Sequence, residues 1–504
     1  MQLAAMEAGG PGGRDWCLAR LPRRLPSRAT GTVWLSILCV GAVRTSLPGR
    51  IAVTPEPFGA HGPRHVILQQ SEPHVRQQTR KARTKPSPKL VYGSHAEWTG
   101  HRGERRELLW AALALFFSGA VSLALEVTWT RWLRLAFGST TWAVSTILVA
   151  YMLGLGLGGL WGARLASRPH RGWFTYGLLE IGVGVYALFV PWLFERAPWV
   201  QEVLFAQWDF WLATLGRFAV AVTGLLLPTV FMGATVPVLV SAVIEARPQL
   251  GRGVGLLYGI NTFGAVAGVL GATYLLFPAL GLRRTNLVAA LMDLAIGALA
   301  AFYLVRRTQG SVAPAPGTEE RWQPVPTQGT RDWLRAAWLP LLVYGSVGFT
   351  SLAYEVSWTR ALSLTVGSST YAFATMLAAF LIGIALGALF IRRRVDRISA
   401  PTFAFGIALL LLAAASVGTS VVLQRVPDLL PWLFVYLGIF EAGVTASMLI
   451  ISLLAMLPPT FLLGALFPLL VRGLARSAPA SLATGSVYFA NTVGSALGAF
   501  TAGF

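Results

Sequence analysis

From Leu108 onward, long apolar runs alternate with short polar connections, and eleven spans can be read from the pattern. The first six are Leu108–Leu125, Thr141–Leu165, Trp173–Phe194, Trp211–Val243, Gly255–Phe277 and Thr285–Val305. The other five are Leu341–Val356, Tyr371–Ile391, Phe403–Leu423, Val444–Val471 and Gly485–Phe504. Runs of this length predict membrane-spanning helices, because about 20 residues rising 1.5 Å each cross a hydrocarbon core of ~30 Å. The fourth run is too long for a straight crossing and holds Pro228 and Pro237, which predicts a kink. Residues 308–335, rich in Pro, Gly, Thr and Gln, read as a linker. Residues 1–107 are rich in Arg, Pro and Gly and read by composition as a disordered leader. Their one apolar run, Gly31–Val43, follows several arginines, so a signal-peptide reading stands beside that one.

The apolar pattern is written twice. Ser122–Ser139 reads SLALEVTWTRWLRLAFGS, and Ser351–Ser368 reads SLAYEVSWTRALSLTVGS, with 12 of 18 positions identical at a spacing of 229 residues. Gly154 and Gly158 return as Gly383 and Gly387, Pro228-Thr229 as Pro459-Thr460, and Asn261-Thr262 as Asn491-Thr492. Such self-similarity marks a duplicated unit. The expected fold is therefore an all-α polytopic membrane protein of two parallel six-helix repeats, 108–307 and 336–504. Phe504 corresponds to Tyr274, inside the fifth span of the first repeat, so the second repeat reads as truncated and the chain as a fragment of a longer protein.

Composition agrees with the spans: 55% of residues are hydrophobic, 12% are charged, and mean hydropathy is +0.60. The formal charge of +20 raises nucleic-acid binding, but its basic residues sit in the leader and short loops with no aromatic–basic platform. They read instead as topology determinants. With the N-terminus cytoplasmic, sixteen arginines fall on inner connections and seven on outer ones, which predicts a multi-pass protein of the cell's inner (plasma) membrane. Cys17 and Cys39 both precede the first strong span, so no disulfide framework and no metal-ligand spacing is present. No histidine–carboxylate cluster, serine elbow or glycine-rich loop after a strand occurs, so the chain shows no catalytic constellation and implies no cofactor or metal.

Candidate functional residues are the polar groups inside spans. Glu180, Arg217 and Asp293 have no counterpart in the other repeat, and intramembrane ionisable groups mark ion or substrate paths. Glu180 is expected either to face a cavity between the repeats or to pair with Arg217. Asn261 and Asn491 occupy matching sites, as bridges between helices or lining of a polar cavity. Glu126 with Arg131, repeated as Glu355 with Arg360, is expected to form an interfacial ion pair in each unit, with Trp129 and Trp358 adding aromatic belts. Small residues four apart, such as Gly264/Gly268 and Gly494/Gly498, predict close helix crossings.

Several of these stretches, SGAVSLALEVTWTRWLRLAFGST, YMLGLGLGG, YGLLEIGVG, PTVFMGATVPVLV and GLLYGINTFGAVAG, resemble the membrane part of fused major-facilitator/spermidine-synthase proteins. The resemblance covers about Leu108 to Phe504. It implies a transporter-like membrane module followed by an aminopropyltransferase-like domain, which this chain does not include, and a link to polyamine synthesis or transport. The segment GLWGARLASR is weakly similar to the major facilitator loop signature, with Ala163 where an Asp is usual and Ile391 in the second unit. Three readings stand: a carrier for a polyamine or related cationic amine, a non-transporting membrane anchor for the synthase domain, and an unrelated small-molecule carrier. Acidic side chains facing a central cavity would favour the first, and an apolar, closed centre the second.

Overall fold

In a computed structural model of the protein, residues 96–503 are described, apart from 138–140, 167–171, 197–198, 200–201, 204–206, 245–249, 311–326 and 368. The leader up to residue 95, with its apolar run and both cysteines, lies outside the described residues.

Among the described residues eleven long helices form, because backbone polar groups in a bilayer must be satisfied within the segment. They are α1 (Ala96–Phe137), α2 (Thr141–Leu165), α3 (Gly172–Phe194), α4 (Phe210–Ile244), α5 (Leu250–Leu270), α6 (Phe277–Gly310), α7 (Thr327–Val366), α8 (Thr370–Ile391), α9 (Pro401–Leu437), α10 (Glu441–Leu474) and α11 (Ala480–Gly503). A π-helical segment, Gly271–Leu276, carries α5 onward, and the chain reverses at Gly281, whose φ of 74° suits a residue without a Cβ. Several elements are longer than their apolar runs, and α7 begins at Thr327, inside the stretch 308–335 read as linker. α1 begins at Ala96, inside the stretch read as leader, and α9 continues through Pro427 and Pro431.

Among the described residues, nine segments are long and apolar enough to cross a membrane by length and composition, one of them running Leu250–Tyr303 and so holding α5 and most of α6. α11 is not among them. It is built of small residues, with Gly485, Gly494 and Gly498 all buried between other helices rather than facing lipid.

The duplication is reproduced contact by contact. On α5, Gly264 and Gly268 lie against the carbonyls of Phe116 and Ala120 on α1, and Gly119 lies against that of Asn261. In the second unit Gly494 and Gly498 lie against Gly345 and Phe349 on α7, and Gly348 against Asn491. α2 and α8 meet α4 and α10 in the same way, Gly154 at Thr229 and Gly383 at Thr460. Both threonines return their hydroxyls to the preceding turn, Thr229 to Leu225 O at 2.6 Å and Thr460 to Met456 O at 2.7 Å. Each follows a mid-helix proline, where the ladder has lost a bond.

The units join through the same helices on either side. α2 packs on α11, with Gly159 and Gly485 against each other's backbone, and α5 packs on α8, with Gly259 near the Ala385 carbonyl. Ser241 at the end of α4 donates to Ala166 O at the end of α2, while the start of α5 meets the end of α8. α2 and α8 therefore finish on the same face, and the repeats are parallel.

At that arginine-rich face one hydrophobic core runs through both units, including Tyr176, Leu239 and Leu257 of the first and Tyr344, Phe467 and Leu470 of the second. Towards the other face each unit also has a core of its own, while smaller clusters still join the units, Val269 and Phe277 with Ala378, and Val149 with Ala499. Trp129, Leu133 and Phe194 belong to a core of the first unit, and Trp358, Phe380 and Ile451 to a core of the second. One difference breaks the symmetry. In the first unit α6 packs against α1 and α3. The equivalent groove between α7 and α9 holds an open cavity of about 260 Å³, lined by Val347, Ser351, Tyr354, Leu409 and Ser416 among others.

Candidate functional site

Glu126 and Glu355 occupy equivalent positions on α1 and α7, and both are half-buried. The structure does not pair them with Arg131 and Arg360. Five residues turn a helix by about 140°, so Arg131 leaves the face of Glu126 and lies over the Phe277 ring, 5.2 Å from its centre. Arg360 reaches Ala502 O at 3.5 Å. Glu355 instead lies close enough across the seam between the units for its charge to act on Glu126.

Two tyrosines, Tyr151 and Tyr488, lie near Glu126. The Tyr151 hydroxyl on α2 lies within reach of Glu126 and donates to Met232 Sδ at 3.3 Å. Tyr488 on α11 is close enough to couple to Glu126 and to Tyr258 on α5. Tyr258 stacks on Phe467 of α10 with centroids 4.4 Å apart. The equivalent of Tyr151 is Phe380, so the polar lining is richer on the first unit. Two acids from opposite units can hold a cation by charge.

Glu180 lies elsewhere. It is 2% exposed, on α3 facing α1 and α6, and Ser118 donates to its Oε1 at 2.7 Å. Asp293 of α6, 1% exposed, is turned towards it. Arg217 does not join them. Its Nε is buried without a partner among the described residues. The Asn261 and Asn491 backbone carbonyls receive the glycines of α1 and α7, and neither side-chain amide bridges to another helix among the described residues.

Three groups were not singled out in the sequence. Asn286 accepts from Trp129 Nε1 at 2.9 Å and donates to Ala187 O at 2.7 Å, tying α1, α6 and α3 together. Trp129 is thus fully buried and not a belt residue, and Trp358 is only 5% exposed. Tyr151 looked like one more apolar-run aromatic. Asp396, just beyond α8, accepts from the backbone N–H groups of Gly251 at 3.0 Å and Arg252 at 2.8 Å. It also accepts from Arg472 Nε at 3.1 Å, so it caps the start of α5 and latches the units together at the arginine-rich face. Beside it, burial and the neighbouring guanidiniums of Arg393 and Arg252 push Arg392 below its ordinary value. Among the described residues, no group of three His, Cys, Asp or Glu is placed to hold a metal ion.

No protein-family model and no curated protein matches this sequence. Among solved structures, the chain is similar to a bacterial homologue of the iron transporter ferroportin in an outward-facing state with soaked iron, at 16% identity and a TM-score of 0.49, over 79% of this chain and 91% of that one. It is also similar to the xylose transporter XylE from E. coli, at 13% identity and a TM-score of 0.48, over 79% and 91%. The human organic anion transporter MFSD10 matches at 16% identity and a TM-score of 0.47, over 79% and 93%. Nothing about this chain's cargo follows from them.

Proposed function

We propose that this chain is the membrane-embedded carrier module for a cationic amine of the polyamine class. The observation that carries the reading is the juxtaposition of Glu126 and Glu355, one from each repeat, with Tyr151 and Tyr488 beside Glu126. An acid on a membrane span is costly, by ~2.5–3.5 kcal/mol at the helix centre, and is retained where it has a partner or a task. Here neither acid has a basic partner among the described residues. A linear diamine offers an ammonium to each carboxylate. Resemblance to the membrane part of spermidine-synthase fusions supports the same cargo class, with a synthase-like domain as partner.

The arginine-rich face is assigned to the cytoplasm. The shared core and the Asp396 latch then close the cytoplasmic end, and the acids lie towards the outer end, where smaller clusters and the Tyr274–Thr375 hydrogen bond also join the units.

Uptake of labelled putrescine into proteoliposomes tests the reading. Wild-type protein should accumulate it, and Glu126→Gln and Glu355→Gln should each lower uptake at least tenfold. That corresponds to losing about 1.4 kcal/mol or more of binding, in the range for a charge-assisted contact. The alternative is a non-transporting anchor for the synthase domain, which predicts no uptake by any of the three proteins. Uptake that survives both substitutions would remove the two acids from the account.

A further inference from the structure

The first unit buries a second acid pair that the seam does not use. α3 and α6 run antiparallel and touch through small residues, with Gly177 against the Gly297 carbonyl and Gly184 against the Ala290 carbonyl. Glu180 and Asp293 therefore fall at one level, between two glycine-tightened contacts. Together they are 2% and 1% exposed.

The groups facing the pair can be named from every packed element. α1 contributes the Ser118 hydroxyl, which donates to Glu180. α3 itself contributes Tyr176, beside Glu180, whose hydroxyl also donates to Ala114 O at 3.2 Å. α2 contributes Tyr151, which couples to Asp293 on one side and to Glu126 on the other. No arginine or lysine forms an ion pair with either acid among the described residues. Both Asp293 oxygens are buried without a donor among those residues, although the carboxyl is turned to Glu180. An ionised carboxylate only accepts, whereas a protonated one also donates. The pair is satisfied when one carboxyl carries a proton and donates it to the other, which also removes one of two like charges from a buried interface.

We propose that Glu180 and Asp293 form a proton-binding site, holding one proton between them as a carboxyl–carboxylate hydrogen bond, and that this is the coupling site of the carrier. The coupling rests on the carrier reading above; the proton site does not. The second unit has Leu409 in place of Glu180 and Val347 in place of Ser118, so the site belongs to the first repeat. Buried acids of this kind in membrane bundles mark proton relays. Tyr151 supplies the link, because a cation bound at Glu126 changes the field at a residue that also senses Asp293.

Two measurements decide it. Infrared spectra of the full chain in lipid nanodiscs should show the C=O stretch of a protonated carboxyl that shifts in deuterium oxide. That band should shift in Asp293→Asn and in Glu180→Gln and lose this component in the double variant. If no such band exists in wild type, or the band is unchanged in Asp293→Asn and in the double variant, the proton site is overturned. Proteoliposomes with an internal pH dye and an imposed pH gradient supply the second measurement. Wild type should concentrate putrescine with a matching proton flux, whereas Asp293→Asn should only equilibrate it. Undiminished proton-coupled accumulation by Asp293→Asn overturns the coupling. Absence of putrescine movement in wild type overturns the carrier reading and its coupling together, and leaves the proton site to the infrared result.

Discussion

At the scale of single residues, polar groups here are held by partners far away in sequence, and their cost depends on whether both partners stay. Asn286 is 1% exposed and serves a donor on α1 and an acceptor on α3 at once. Asn286→Ala would orphan the Trp129 Nε1 donor in a buried site, at a cost of roughly 1–2 kcal/mol. The expected result is a lower melting temperature in detergent, with part of the loss recovered in Asn286→Ala/Trp129→Phe because the orphaned donor is gone. Equal melting temperatures for Asn286→Ala and wild type would show that the three-helix tie contributes nothing. Asn261 and Asn491 make the contrast, since what each gives the fold is a backbone carbonyl at a glycine crossing.

At the scale of helices, association in a bilayer has little hydrophobic drive, so close backbone approach supplies the packing. Gly268 on α5 illustrates it, because a side chain there would run into the Ala120 backbone of α1, and Gly498 repeats the arrangement at Phe349 of α7. Gly268→Leu should force the helices apart and destabilise by roughly 1–3 kcal/mol. Gly418→Leu on α9, where an added Cβ meets nothing within 4 Å, should be neutral or stabilising, since leucine is the better helix former. Thermal melting of both proteins in one detergent checks this, and equal losses would contradict the packing account. The pattern of small residues four apart announced these crossings in the sequence. It did not announce that Gly177, Gly184 and Gly297 would clamp α3 to α6 at the level of two acids, because their partners lie on a helix more than a hundred residues away.

At the scale of the molecule, parallel repeats place the ends of α2, α4, α8 and α10 on one face, where Asp396 answers Arg472 and the start of α5. If that face is cytoplasmic, a reporter placed in the 311–326 connection or at 167–171 should read as cytoplasmic. One placed between Glu195 and Asp209 should read as external. A same-side result for 311–326 and 197–208 would overturn the orientation and the crossing order together.

Hydropathy and self-similarity were enough to specify an all-helical, polytopic, duplicated chain, since they record which backbone must satisfy itself in lipid and which segments descend from one unit. They could not say which apolar face meets lipid and which meets protein, because both surroundings are apolar; α11, weakly hydrophobic yet wedged between α2 and α7, shows the ambiguity. Glu126 was legible as a repeated acid, but local spacing suggested Arg131 where the fold supplied Glu355, from the other repeat. Glu180 and Asp293 were legible as unmatched acids, but not as a pair. Partner choice depends on the rotation and register of helices far apart in the chain, and those are decided only when glycine-lined faces dock.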